Sequence, residues 1–378
     1  MFVFGIVGAL LGALFGFPEI RARFAVDFSR LGDLFTLLYS GLLATTLVAG
    51  PVIDRFGPRA LLAASSGLVG AGFTIFATGS GYTAAALAAV AIGVGGGGLN
   101  IATNALVSAL YPEDRGRWLN YLGAFFGVGA LFVPVAASSL GSAASVPVVL
   151  LAAAAIAASL ALAYAALPLP ATEAGHHAFS IRDIPSAVAQ PGVWMFAALL
   201  FFQTGNEAMV SGWVSTYIEQ AGWPARTATT VLAAYWVAVI VGRATVGRLH
   251  RAVAGQRMLV VCGLISMAGC AWLMGARSIA SLTAAALLTS LALSGVYPTT
   301  LALAGDRYRQ RAGTVFGTLF SIGGIGGMVM PPILGRVSEA AGLRVGMGVP
   351  VAGAAAVTVL ALVVATRAAS RKAGVGGS

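Results

Sequence analysis

The stretch FFQTGNEAMVSGW, Phe201 to Trp213, holds a carboxylate inside an apolar run. Gln203, Asn206 and Glu207 fall within five positions, with WMFAALL before them and VSTYI after them. A carboxyl group can take up a proton on one side of a barrier and release it on the other. Two amides beside it can share hydrogen bonds with it or with a polyhydroxylated solute. Similar polar islands recur in other apolar runs. Asn100 and Asn104 lie one helical turn apart, on one face. Trp213 and Tyr217 follow Glu207, Tyr235 and Trp236 form a pair, and Tyr297, Thr299 and Thr300 flank Pro298. Amides that bond hydroxyls and rings that cover the apolar face of a pyranose are what a sugar pocket needs. For each Asn or Gln the competing role is a hydrogen bond between helices. For Tyr297 and Trp236 it is ordinary packing.

What must position these groups is a membrane bundle. The chain has 378 residues, 58% hydrophobic and 9% charged, with a mean hydropathy of +0.91. Soluble domains carry roughly 25% charged residues. The apolar residues come in long runs with short charged or Gly/Pro breaks, as in a chain that crosses a bilayer many times. The net charge of +10 does not imply nucleic acid, because the 21 Arg and the single Lys372 sit in breaks between runs and form no basic face. Cys262 and Cys270 share one apolar run and read as small core residues. His176, His177 and His250 make no metal spacing, so no metal is expected. The opening MFVFGIVGALLGALFGF lacks a basic region before its apolar stretch and reads as a retained first span.

At about 20 residues per crossing, the runs give twelve helices: 1–20, 32–53, 59–79, 83–110, 117–140, 146–168, 192–219, 226–249, 257–276, 279–304, 312–335 and 345–367. The fold class is therefore all-α integral membrane. The expected organisation is a six-helix bundle over 1–168, a cytoplasmic linker over 169–191, a second six-helix bundle over 192–367 and a flexible tail over 368–378. With the N-terminus inside, fifteen of the 22 Arg and Lys residues fall on the cytoplasmic side and seven outside. Both termini are thus expected in the cytoplasm of a cell membrane.

The halves repeat each other. Gly123, Phe126 and Gly129 match Gly317, Phe320 and Gly323 at a shared offset of 194, and Asp114-Arg115 matches Asp306-Arg307 at 192. Weak internal symmetry of this kind marks transporters built from repeated bundles, with solute sites near the midplane. The run GVGGGG, Gly93 to Gly98, matches G-x-G-x-x-G, but no βαβ unit surrounds it. Its expected role is close helix packing.

After the second span comes GPVIDRFGPR, with Gly50, Asp54, Arg55, Gly57 and Arg59. It resembles the loop of the major facilitator superfamily with the pattern G-x-x-x-D-R-x-G-x-R between its second and third helices. Gly242 and Arg243 fit that family's G-R ending of helix eight. The second copy of the loop, GRLHRAVAGQR from Gly247, has Arg251 where the first has Asp54. The resemblance implies two bundles that alternate in access, and a latch built from these seven residues, Gly50 to Arg59 with Gly242 and Arg243, that holds the outward-open state. FGIVGALLGALFGF, GVGGGGLNIATNAL and TGNEAMVSGWVSTY are similar to the fucose and glucose–proton symporter branch. In that branch the fourth span carries a carboxylate where this chain has Asn100.

The expected function is hexose uptake coupled to protons through Glu207, without catalysis and without a cofactor, driven by the proton gradient. Substrate ligands are expected among Asn100, Asn104, Gln203, Asn206, Trp213, Tyr235, Trp236 and Tyr297. Burial disfavours the ionised form of a carboxyl group, which suits such a coupling site. Glu19, after Pro18, reads as interfacial. The alternatives are a sugar uniporter, a proton-linked exporter of drugs or metabolites, and an organic-anion carrier using Arg243, which otherwise reads as a snorkelling anchor. The partners are a small solute and the lipid bilayer, with a monomer as the default for the fold. Asp54→Asn is expected to move the carrier toward inward-open states. Unchanged accessibility of cysteine labels placed on the outer side would contradict the latch.

Overall fold

The computed structural model describes residues 1–111, 113, 115–140, 143–167, 190–249, 253–308 and 312–375. The expectations for His176, His177, His250, Arg251, Asp114 and residues 169–189 lie outside them, as does the side chain of Asp54.

The described elements are helical: α1 (Phe2–Leu14), α2 (Pro18–Phe24), α3 (Phe28–Thr78), α4 (Gly81–Leu110), α5 (Arg115–Leu140), α6 (Val146–Ala166), α7 (Pro191–Gln220), α8 (Ala225–Leu249), α9 (Gly255–Gly275), α10 (Ile279–Arg307), α11 (Ala312–Ala341), α12 (Leu343–Gly346) and α13 (Gly348–Val375), with one 3₁₀ turn at Ala143–Ser145. Among the described residues, ten helical segments are long and apolar enough to cross a membrane, and the pair α1–α2 makes an eleventh. α7 is not among these. It is the helix that carries Gln203, Asn206, Glu207 and Glu219.

Three boundaries differ from the sequence reading. The first span is not one helix: α1 and α2 meet at a 96° bend. Pro18 opens α2 and disfavours helical backbone at Phe17, which is extended. The second and third spans form one hydrogen-bonded run, interrupted at Gly57, whose φ of 76° only glycine adopts easily. α13 continues to Val375 because ATRAASRKAG is rich in strong helix formers.

The chain divides into two compact units, Met1–Ala178 with Ser211–Val237, and Phe179–Val210 with Ala238–Ser378. The division falls inside α7 and inside α8. In the first unit α3 packs on α4 and α6, and α1 on α5. In the second, α9 packs on α10 and α13. Small residues set these contacts. A Cβ on Gly93 would strike the Leu38 carbonyl, and one on Gly97 would come within 2.7 Å of the Leu42 carbonyl oxygen. The glycine run of α4 is thus a packing surface against α3, as its composition implies. The internal repeat is also visible. Gly129 of α5 lies on Phe2 of α1, and Gly323 of α11 lies on Leu200 and Thr204 of α7.

Of the seven arginines that the sequence reading places outside, Arg21, Arg23, Arg30 and Arg344 donate to backbone carbonyls. Arg21 donates to the Phe15 carbonyl at 2.6 Å, Arg23 to Ala77 at 2.8 Å, and Arg30 to Ala25 at 2.6 Å. Arg344 reaches the Met274 and Ala276 carbonyls. Each cation meets carbonyls left open at a helix end, where the macrodipole is negative.

Gly93→Val is expected to destabilise the detergent-purified protein by about 1–3 kcal/mol through overpacking. Gly67→Ala, where a Cβ meets nothing within 4 Å, is the control. Equal melting temperatures for the two variants would refute the packing role of the α4 glycines.

Candidate functional site

The second unit brings together Glu207, Arg243 and Tyr297. Gly242 has no side chain, so α8 can approach α10 closely at Leu291 and Ser294. That approach delivers the next residue, Arg243, whose Nη2 lies 3.4 Å from Glu207 Oε1. The sequence reading places Gly242 and Arg243 in the latch, at the end of helix eight. The structure puts the guanidinium against the carboxylate of α7. The side chains are 38% and 20% exposed, so neither is fully enclosed by protein. Tyr297 of α10 lies within electrostatic reach of both charges and stacks on Phe320, with ring centroids 6.2 Å apart and an interplanar angle of 5°.

An ionised group at mid-membrane costs about 2.5–3.5 kcal/mol on insertion scales. A paired cation and anion offset part of that cost, and removal of either leaves the other uncompensated.

Gln203 and Asn206 point elsewhere. Gln203 Nε2 donates to the Leu293 carbonyl at 2.8 Å, which ties α7 to α10. Its Oε1 has no partner among the described residues. Asn206 is fully buried against Gly353 of α13 and Met330 of α11, and neither of its amide atoms has a partner among the described residues. A buried polar group without a partner costs about 1–3 kcal/mol.

The remaining candidates lie in the first unit. Asn104 Nδ2 donates to the Asn100 carbonyl at 2.7 Å and to Asn100 Oδ1 at 2.9 Å, and both residues stay partly exposed. Trp213 is fully buried against Phe28, at 6.0 Å between centroids. Tyr235 and Trp236 contact each other at 5.7 Å, and Trp236 meets Phe126 at 6.2 Å. The indole Nε1 atoms of Trp213 and Trp236 are buried without a partner among the described residues. Of the expected latch, Arg59 donates to the Ala165 carbonyl at the end of α6, Arg55 lies over Phe56, and nothing approaches the Cβ position of Gly50.

One cluster is absent from the sequence reading. Arg21 Nη2 pairs with Glu219 Oε2 at 2.5 Å, with both side chains largely buried, 11% and 16% exposed. Ser215 Oγ donates to the Gly12 carbonyl, and Thr216 Oγ1 to Phe15 at 3.0 Å. The C-terminal half of α7 is thereby fastened to the broken end of α1. Pro18 marks that break in the sequence, but no local signal links it to residues some 200 positions away.

The family model for the Major Facilitator Superfamily matches residues 1–331. The chain belongs to the Major Facilitator Superfamily. This facilitator is accordingly a multi-pass membrane transporter and not an enzyme. Its fold is similar to that of the nucleoside transporter NupG, with a TM-score of 0.79 and 14% identity over 96% of this chain and 95% of that one. It is similar to a bacterial homolog of the human lysosomal transporter Spinster, with a TM-score of 0.80 and 12% identity over 97% and 94%. The E. coli fucose:proton symporter FucP gives a TM-score of 0.64 and 22% identity over 95% of each chain. A sequence search against curated proteins found no match.

Glu219→Gln is expected to lower the melting temperature, because Arg21 is then left without its anion, and the double variant with Arg21→Gln should recover part of the loss. A double variant no more stable than the single one would show that the two residues are not coupled. Asn206→Ala is expected to leave stability unchanged or raise it by about 1 kcal/mol, since it removes an unsatisfied amide. A large loss of stability would show that Asn206 has a structural partner.

Proposed function

We propose that this facilitator carries a hexose into the cell together with protons, and that Glu207 is the proton carrier. Both termini are placed in the cytoplasm in this reading, as the arginine distribution implies. The observation that carries it is the Glu207–Arg243 pair, a carboxylate held 3.4 Å from a cation, with both side chains partly exposed. When Glu207 is ionised it pairs with Arg243. When it is protonated, a solute oxygen can take the carboxylate's place beside the guanidinium. Binding of proton and solute are then linked through one guanidinium. Asn100 cannot take up a proton, so Glu207 carries the coupling alone. In the same unit as the pair, the Tyr297–Phe320 stack offers a ring face to the solute. The likeness to FucP, a fucose:proton symporter by name, agrees with this reading.

A second reading, nucleoside uptake, is favoured by the likeness to NupG. A nucleoside also presents sugar hydroxyls, and its base would use the same aromatic face. Proton-linked export of drugs or metabolites is a third. It demands a larger apolar cavity and makes less use of paired amides.

The test is counterflow of radiolabelled glucose in proteoliposomes, with unlabelled hexoses and nucleosides as competitors. Wild type is expected to exchange glucose, with hexoses competing. Glu207→Gln is expected to keep exchange and lose accumulation driven by a pH gradient. Arg243→Gln is expected to weaken solute binding, seen as a raised half-saturation concentration. Competition by nucleosides alone would establish the second reading, and no exchange with either class would favour export.

A further inference from the structure

In the second unit, a cleft of about 330 Å³ opens where three membrane spans end on one side. Arg307 is the last residue of the span Ile279–Arg307, Arg367 the last of Leu343–Arg367, and Gln256 the second residue of the span that starts at Gly255. All three line the cleft, with Asp306 beside them and Phe196, Leu303 and Val364 as its apolar wall. Arg307 and Arg367 are exposed. The Arg307 side chain lies over Gly192 at the start of α7, where a Cβ would come within 3.0 Å of Nη2. Glycine there leaves room for the guanidinium to rest against the helix end.

We propose that this cleft binds the headgroup of an anionic phospholipid. Among the described lining residues, two guanidinium charges outnumber the one carboxylate, which suits an anionic phosphodiester. A guanidinium fork binds phosphate oxygens in parallel pairs. Basic pockets between spanning helices, at the membrane surface, suit anionic headgroups. Gln256 suits the hydroxyls of a glycerol headgroup, and Leu303, Val364 and Phe196 offer apolar surface to the start of the acyl chains. Arginine distribution assigns this side of the protein to the cytoplasm. The ligand class is distinct from the transported solute, and the site shares no residue with the Glu207–Arg243 pair.

The experiment measures melting of the purified protein in mixed micelles containing phosphatidylglycerol or phosphatidylcholine, with retained lipid counted by native mass spectrometry. Phosphatidylglycerol is expected to raise the melting temperature by several degrees and to remain bound, and phosphatidylcholine to do neither. Arg307→Gln and Arg367→Gln should each reduce the shift, and the double variant should lose more than half of it. Arg277→Gln, outside the cleft, should keep all of it. Because the singles are read separately, a double variant that fails to fold leaves the test intact. Equal effects of the two lipids, or a full shift in the singles, would overturn the proposal. If soluble glycerol phosphate reproduced the stabilisation, the site would take free phosphate and the lipid assignment would fail.

Discussion

An ionised side chain taken into lipid must meet an opposite charge or water, and that constraint organises this protein around Glu207. The carboxylate is expensive in an apolar helix, so its partner has to be delivered to it. Delivery begins with a glycine. Gly242 lets α8 touch α10, and the residue that follows is then within 3.4 Å of Glu207. A larger residue at 242 would separate the helices and move Arg243 away from Glu207. Local packing and one ion pair are thus links in one chain of causes.

The same constraint governs the backbone. A helix end inside or near the membrane leaves carbonyls that water cannot reach, and something must donate to them. At the break between α1 and α2 the donors are Arg21, Ser215 and Thr216. Three donors converge there, two of them from α7.

Much of the fold was legible in the sequence. Long apolar runs give the spans, the repeated glycines of α5 and α11 give the symmetry, and GPVIDRFGPR points to the family. The α4 glycines read correctly as packing because no phosphate-binding unit surrounds them. What the sequence did not yield is long-range pairing. Nothing near Arg243 names Glu207 as its partner, since the two are 36 positions apart on different helices. Nothing near Glu219 names Arg21. Side-chain direction was equally hidden. Gln203, Asn206 and Glu207 are neighbours in the chain, yet they face α10, α13 and Arg243 respectively. Their i, i+3, i+4 spacing puts them on one broad helix face, but several helices pack against that face, so their adjacency did not imply one shared pocket.

The central claim is that solute and proton move together through Glu207. The most direct measurement is the internal pH of proteoliposomes loaded with a fluorescent pH dye, after hexose is added outside and with no imposed gradient. The account predicts acidification of the interior by the wild type and none by Glu207→Gln. Entry of labelled hexose through the wild type without acidification would contradict it.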